Sequence, residues 1–213
     1  RVRISNLPPE RLPHDGLLYL RDANPEHMRV TVDRLKSNPQ FYRLIHSERL
    51  VEIAQPFVGA SEVSHVGFSY PNFRADLPEQ FSAEEQKFSL PWHQESSYYK
   101  SNASALSSIV FWIPLFDCST EEGSLELLVG SHLHGEYVHE DYYLDRENKR
   151  HFRNQVPDDV VSQFEATTVP VRAGSVLVNH FRTVHRSGSN RSENVRYTLL
   201  IRASNIFCKG YCL

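Results

Sequence analysis

Residues 108–115, SIVFWIPL, form a near-continuous apolar run, and this run decides the fold class. An apolar run of this length between turn-forming residues is typical of a strand buried on both faces. Shorter apolar or alternating stretches occur on both sides of it, so the sequence predicts many short strands after about residue 60. These stretches are residues 66–70, 125–129, 168–171, 175–178 and 195–201.

The first 60 residues have a different texture. Apolar side chains between residues 44 and 57 recur at helical spacing. Asn24 before a proline and Ser47 are predicted helix starts, and Gly59 is a predicted helix end. Residues 17–20, LLYL, are predicted as a short strand after a turn.

Helices followed by many short strands indicate an α+β domain, with a β-sandwich or jelly roll buttressed by N-terminal helices. We expect one domain over residues 1–213, mainly helical to about residue 60 and a jelly-roll core over about 61–213. Residues 141–159 are polar and too many for a tight turn, which predicts an insertion or lid-like loop.

Composition excludes several classes of function. The net charge is -3 and the pI is about 6.4, with no basic run that nucleic acid would require. No apolar stretch approaches the roughly 20 residues of a membrane span, and the N-terminus lacks a signal-peptide core. A cytoplasmic protein without a membrane partner is therefore expected. The cysteines Cys118, Cys208 and Cys212 are odd in number, and we expect structural roles for them.

A candidate metal pair lies in residues 90–95, LPWHQE. If this stretch is a strand, His93 and Glu95 point to the same side because strand side chains repeat every second residue. Downstream, His180 and His185 are each able to supply a third ligand. Two histidines and one carboxylate on one face of an octahedron are the ligand set of non-haem Fe(II) oxygenases.

A second polar group follows in the turn-rich residues 184–192 and the strand after them. This turn predicts that His185 and Arg196 lie on neighbouring strands. A buried arginine requires an anion, and its planar fork matches a carboxylate. The distal carboxylate of 2-oxoglutarate fits, with Ser187 as a hydroxyl donor. The alternative is a salt bridge between Arg196 and an acidic neighbour.

Several motifs in the same order resemble the phytanoyl-CoA dioxygenase (PhyH) family of 2-oxoglutarate oxygenases. The resemblance covers most of the chain and includes the metal-strand motif and the closing segment from Gly174 to Arg196. The other motifs are residues 15–18, 111–117, 122–125 and 130–132.

The resemblance implies a double-stranded β-helix fold and oxidative decarboxylation of 2-oxoglutarate coupled to substrate hydroxylation, with Fe(II), 2-oxoglutarate and O₂ as cofactors and co-substrates. It selects His185 rather than His180 as the second histidine ligand, and Arg196 as the co-substrate arginine. One residue departs from the family pattern, since Glu95 stands where the family usually has aspartate. Its additional methylene moves the carboxylate by about 1.5 Å, one C–C bond, unless the rotamer or the strand compensates.

The substrate is expected to be a small molecule, with Gln94, Tyr98, Tyr99 and Arg74 as candidate contacts. For Arg74, a solvent-exposed side chain or pairing with Asp76 is an equal alternative. Two other functions remain open: a cupin-like metal enzyme that does not use 2-oxoglutarate, and a catalytically silent binding module. The sequence does not indicate the oligomeric state.

Overall fold

The structure is a computed structural model that describes residues 7–81, 90–98, 107–143 and 152–209. The described residues begin with four helices, and the sequence predicts helices here apart from residues 17–20. They are α1 (Leu12–Ala23), α2 (Pro25–Leu35), α3 (Pro39–Ile45) and α4 (Glu48–Phe57). The Asn24 side chain caps α2 by accepting a hydrogen bond from the His27 backbone N–H, and α4 ends just before Gly59, which has a φ of 65°. Ser47 is the N-cap residue of α4, although its side chain makes no capping hydrogen bond.

The predicted strand at residues 17–20 is wrong, because these residues lie inside α1. Pro13 in the first turn of the helix favours helix initiation. The buried Leu17 then packs into a core with residues of α3 and α4. Tertiary packing of one helix face outweighs the local preference of four consecutive apolar residues, which have no helical period of their own.

The β part is a jelly roll of two facing sheets. Its strands are β1 (Val66–Asp76), β2 (Ser108–Pro114), β3 (Leu125–Leu128), β6 (Ala166–Val169), β7 (Leu177–His180), β8 (His185–Ser187) and β9 (Arg196–Asn205). The larger sheet has the order β1-β9-β2-β7 and the smaller has β6-β3-β8, with antiparallel pairing throughout. An isolated bridge between His93 and His185 joins the segment around residue 93 to the edge of the smaller sheet.

The larger sheet is buried on both faces, which explains the continuous apolar run of β2. On its outer face, Phe111 and Leu199 pack with Ile45 and Ala54 of the helices. On its inner face, Trp112 packs with other side chains of both sheets, namely Leu125, Leu127, Val169, Leu177 and Leu200. The helices therefore cover the outer face of the larger sheet, and its inner face remains for a site between the sheets.

The described residues of the polar insertion form regular elements rather than a simple lid-like loop. They form a two-stranded ribbon of β4 (Glu140–Tyr143) and β5 (Phe152–Gln155), followed by α5 (Asp158–Val161).

Cys118 is buried and unoxidised, and burial raises the pKa of its thiol to about 11. Cys208 is also a free thiol, whereas Cys212 lies outside the described residues. Across the described parts of the chain, no helix combines the length and apolar character needed to span a membrane.

Candidate metal centre

His93, Glu95 and His185 come together at one end of the space between the sheets. Each offers one ligand atom, and these atoms lie within 4.8 Å of one another. All three residues are at least nine-tenths buried. The backbones of His93 and His185 exchange two N–H···O hydrogen bonds of 3.0 Å, so the two imidazoles are held side by side, with ring centroids 4.3 Å apart.

Both histidines are oriented by their own backbone segments. The Nδ1 atom of His93 lies 2.7 Å from the carbonyl oxygen of Pro91, and that of His185 lies 2.8 Å from the carbonyl oxygen of Thr183. A carbonyl partner requires a proton on Nδ1, which leaves the Nε2 lone pair available to a metal ion. Burial lowers the pKa of both imidazoles, that of His93 well below its ordinary value, so both rings are neutral near neutral pH.

Glu95 is not on a strand, which corrects the sequence-based argument for this residue. It begins a 3₁₀ turn over Glu95–Ser97, directly after the bridge at His93. The chain curls at this point, and the carboxylate is brought towards the histidines by the turn rather than by strand alternation. Its Oε2 atom lies 3.9 Å from the Nε2 atom of His185.

The other carboxylate oxygen of Glu95 is bound by an arginine that sequence reasoning missed. Oε1 accepts a hydrogen bond from Nε of Arg202 at 2.7 Å, and Nη2 of Arg202 forms an ion pair with the same oxygen at 2.5 Å. A signal for this contact exists in the sequence: Arg202 follows Arg196 by six residues on one strand. An even offset in a strand places both side chains on the same face.

Arg196 lies on the inner face of β9 and is engaged by protein groups. Its Nη2 atom is 3.1 Å from Oδ2 of Asp76, and Nη1 donates to the carbonyls of Gly123 and Gly188. Arg74 binds the other oxygen of Asp76 at 2.6 Å. Burial alone would raise the pKa of Asp76, but Arg74 and Arg196 lower it below its ordinary value. Both arginines therefore form the salt bridge to an acidic neighbour that the sequence left open as an alternative.

The relation between His185 and Arg196 also requires correction. They are not on neighbouring strands of one sheet, because β8 pairs with β3 in the smaller sheet and β9 lies in the larger one. The turn-rich segment between them crosses from one sheet to the other instead of forming a hairpin. Ser187 is buried and lies two residues after His185 on β8, so these two side chains share a face.

The four candidate substrate contacts lie in different environments. Tyr98 lies at the site, with its ring edge-on to His93 at 5.4 Å between centroids, and it is partly exposed. Gln94 does not fit the role: it is fully buried, and its amide donates to the carbonyls of Gly135 and Arg182 and accepts from the backbone N–H of Tyr137. Its hydrogen-bonding capacity is used to clamp three segments together. Tyr99 lies outside the described residues.

We expect Gly123→Ala to destabilise the protein because Gly123 is confined between the turn and Arg196. Its φ is +78°, and a Cβ atom there would lie 2.6 Å from Nη1 of Arg196 and in closer contact with the carbonyl of Gly188. Gly174 is a matched control, since its φ is +82° but a Cβ atom would have no neighbour within 4 Å among the described residues. Both variants incur the left-handed backbone penalty of about 1 kcal/mol.

Urea unfolding of the two variants separates that penalty from the steric one. Gly123→Ala should lose a further ~1–3 kcal/mol, the usual cost of overpacking. Equal free energies of unfolding for the two variants would contradict the close packing of Gly123 against Arg196.

Comparison with known proteins gives matches over most of the chain. The family model described as Phytanoyl-CoA dioxygenase (PhyH) matches residues 20–198. A curated protein of Stutzerimonas stutzeri, "Probable alpha-ketoglutarate-dependent hypophosphite dioxygenase", is 27% identical over 181 residues, which are 79% of this chain and 56% of that protein.

Solved structures with a similar fold include two 2-oxoglutarate complexes. EvdO2 from Micromonospora carbonacea var. aurantiaca, complexed with 2-oxoglutarate, is 23% identical with a TM-score of 0.57, covering 83% of this chain and 64% of EvdO2. The epimerase SnoN, in complex with Fe3+, alpha ketoglutarate and nogalamycin RO, is 18% identical with a TM-score of 0.60, covering 82% and 61%. The chain thus spans less than two thirds of the length of each of these relatives. At these sequence identities the structural similarity shows the fold alone.

Proposed function

Because this chain belongs to the phytanoyl-CoA dioxygenase (PhyH) family, we propose that it is a non-haem Fe(II)- and 2-oxoglutarate-dependent dioxygenase that oxidises a small molecule. The observation that carries the proposal is the buried cluster of His93, Glu95 and His185. Two neutral imidazoles and one carboxylate fit Fe(II), and they leave three of six coordination positions for other ligands.

Each of the three residues has a defined part. His93 and His185 present Nε2 to the ion because their Nδ1 atoms are engaged by backbone carbonyls. Glu95 presents Oε2, the oxygen that faces His185. When bound, Fe(II) supplies the activation of O₂ that couples decarboxylation of 2-oxoglutarate to oxidation of the substrate, with succinate and CO₂ released.

Arg196 and Ser187 are proposed to hold the co-substrate. The guanidinium of Arg196 is buried and fixed by Asp76 and by carbonyls of the turn around Gly123, so its position is set before any ligand binds. A preorganised cation loses little entropy when it meets a carboxylate. Ser187 lies on β8 with its side chain on the same face as that of His185, and its hydroxyl is a suitable second donor.

The substrate is proposed to be a small molecule that carries a negative charge. Arg74, Arg196 and Arg202 give the site three positive charges, and Asp76 and Glu95 give two negative ones. A ferrous ion and doubly charged 2-oxoglutarate cancel each other, so one positive charge remains. Arg74 is the most exposed of the three arginines, and with Tyr98 it is the proposed substrate contact. The hypophosphite dioxygenase of Stutzerimonas stutzeri is named for a small anion.

The test measures succinate release and O₂ consumption by the iron-loaded protein in the presence of 2-oxoglutarate. We expect succinate to form as O₂ is consumed. Small carboxylates and phosphorus oxyanions are then added one at a time, and the substrate among them should increase the rate of succinate release. A chelator should stop the reaction, and added Fe(II) should restore it. O₂ consumption without a need for 2-oxoglutarate would favour a cupin-like enzyme. Ligand binding without any turnover would favour a silent binding module.

A further inference from the structure

Arg202 is the residue of the site whose role is not covered by the function proposed above. It lies on the inner face of β9, and its side chain is only 10% exposed. Both Nε and Nη2 bind the same oxygen of Glu95, Oε1, while Nη1 donates to the carbonyl of Tyr70 at 2.9 Å. The guanidinium therefore links the candidate metal ligand to the backbone of β1.

The backbone of β1 is distorted at the point where it receives this arginine. Tyr70 has a φ of 47°, the one positive φ among the non-glycine residues that the structure describes. The pairing of β1 with β9 shifts register between Ser69 and Asn72, which marks a bulge at this place. Bulges re-aim backbone groups, and strained residues of this kind cluster at functional sites. Here the bulge includes the residue whose carbonyl anchors Arg202.

We propose that Arg202 is a positioning residue that holds Oε1 of Glu95 and thereby turns Oε2 alone towards the histidines as a monodentate metal ligand. This inference rests on the proposed metal site. Glutamate has one more rotatable bond than aspartate, so its carboxylate needs more restraint to keep one oxygen at a fixed place. Two donors on one oxygen, in the rigid plane of a guanidinium, supply that restraint.

If Arg202 only neutralised the charge of Glu95, this two-donor contact would not be needed. A buried carboxylate requires a nearby cation, but lysine would supply the charge equally well as a point donor. The observed contact is specific for one carboxylate oxygen. Nε and Nη2 of Arg202 both face Oε1, whereas Oε2 lies 3.9 Å from Nε2 of His185. Arg202→Lys therefore separates the two roles, since it keeps the charge and removes the two-donor contact.

The experiment measures Mn(II) binding to the apo-protein by electron paramagnetic resonance, without 2-oxoglutarate. Arg202→Lys should weaken Mn(II) binding by about 10- to 100-fold, the range expected when a partner of a metal ligand is changed, and should alter the spectrum of the bound ion. Arg186→Lys is the matched control. Arg186 binds one oxygen of Glu126 through Nε and Nη2 at 2.7 Å and 2.6 Å, but at a half-exposed place. The Mn(II) affinity of Arg186→Lys and the spectrum of its bound Mn(II) should match those of the unmodified protein.

A double-mutant cycle with Glu95→Asp tests whether Arg202 acts through the longer carboxylate. When Glu95→Asp is already present, Arg202→Lys should change Mn(II) affinity by no more than about twofold, since interaction terms disappear when one partner is withdrawn. An unchanged affinity and spectrum in Arg202→Lys, or the same fold-change with and without Glu95→Asp, would overturn this inference alone. Failure of the unmodified protein to bind Mn(II) would overturn the metal site and this inference with it.

Discussion

His185→Ala should lower the rate of succinate release by about a thousandfold or more. The substitution removes one of three ligand atoms from a buried set in which each histidine is held by its own backbone segment. A metal ion contributes several kcal/mol of stabilisation to the reaction it assists, and about 4 kcal/mol corresponds to a thousandfold in rate. The measurement is succinate formed per folded protein at saturating Fe(II) and 2-oxoglutarate.

His180→Ala is the control that tests the choice between the two histidines. His180 pairs with Ile109 across β7 and β2, and Ile109 packs in the core under the helices, so both side chains lie on the outer face of the larger sheet. This variant should keep its rate within about twofold, because its side chain is directed away from the cluster. Loss of activity in His180→Ala with retention in His185→Ala would reverse the assignment.

Asp76→Asn should lower the free energy of unfolding by about 3 kcal/mol at neutral pH, the lower end of the range for breaking a buried ion pair from one side. Asp76 serves two arginines at once, with Arg74 on Oδ1 and Arg196 on Oδ2. The side chain of Arg196 is 5% exposed, so its charge would be left buried without its carboxylate. Urea unfolding at several pH values measures the effect.

The pH dependence of this variant follows from the lowered pKa of Asp76 in the folded protein. A carboxyl group with a lowered folded-state pKa stabilises the fold above its unfolded-state pKa, and this contribution is lost as the pH falls through the folded-state value. The difference between the unmodified protein and Asp76→Asn should therefore shrink in acid. Asp15→Asn is the control, since Asp15 pairs with Arg11 at a site where both side chains are about one-third exposed. It should cost less than about 1 kcal/mol, and an equal loss in both variants would contradict the account of Asp76.

The architecture was readable from the sequence because it rests on burial. The run at residues 108–115 becomes the doubly buried strand β2, and the helical spacing of residues 44–57 leads to helices packed on the outer face of the same sheet. The strand prediction for residues 17–20 is wrong because four consecutive apolar residues contain no period, and only the packing of Leu17 under the other helices decides their state.

The site was readable only in part. The sequence indicates which residues form the cluster, but it does not indicate how Glu95 reaches the histidines. A 3₁₀ turn rather than strand alternation brings it there. Gln94 appeared available for a substrate because sequence does not reveal which distant carbonyls a side chain meets, here those of Gly135 and Arg182. Arg202 was missed for the same reason, although its even offset from Arg196 already placed the two on one face.

We propose that His93, Glu95 and His185 hold Fe(II) beside a bound 2-oxoglutarate. The most direct test is an anaerobic titration of the apo-protein with Fe(II) and then 2-oxoglutarate, followed by visible absorption. We expect a charge-transfer band that saturates at one equivalent of each and is missing in His185→Ala. A folded, metal-loaded protein that develops no such band would contradict this proposal.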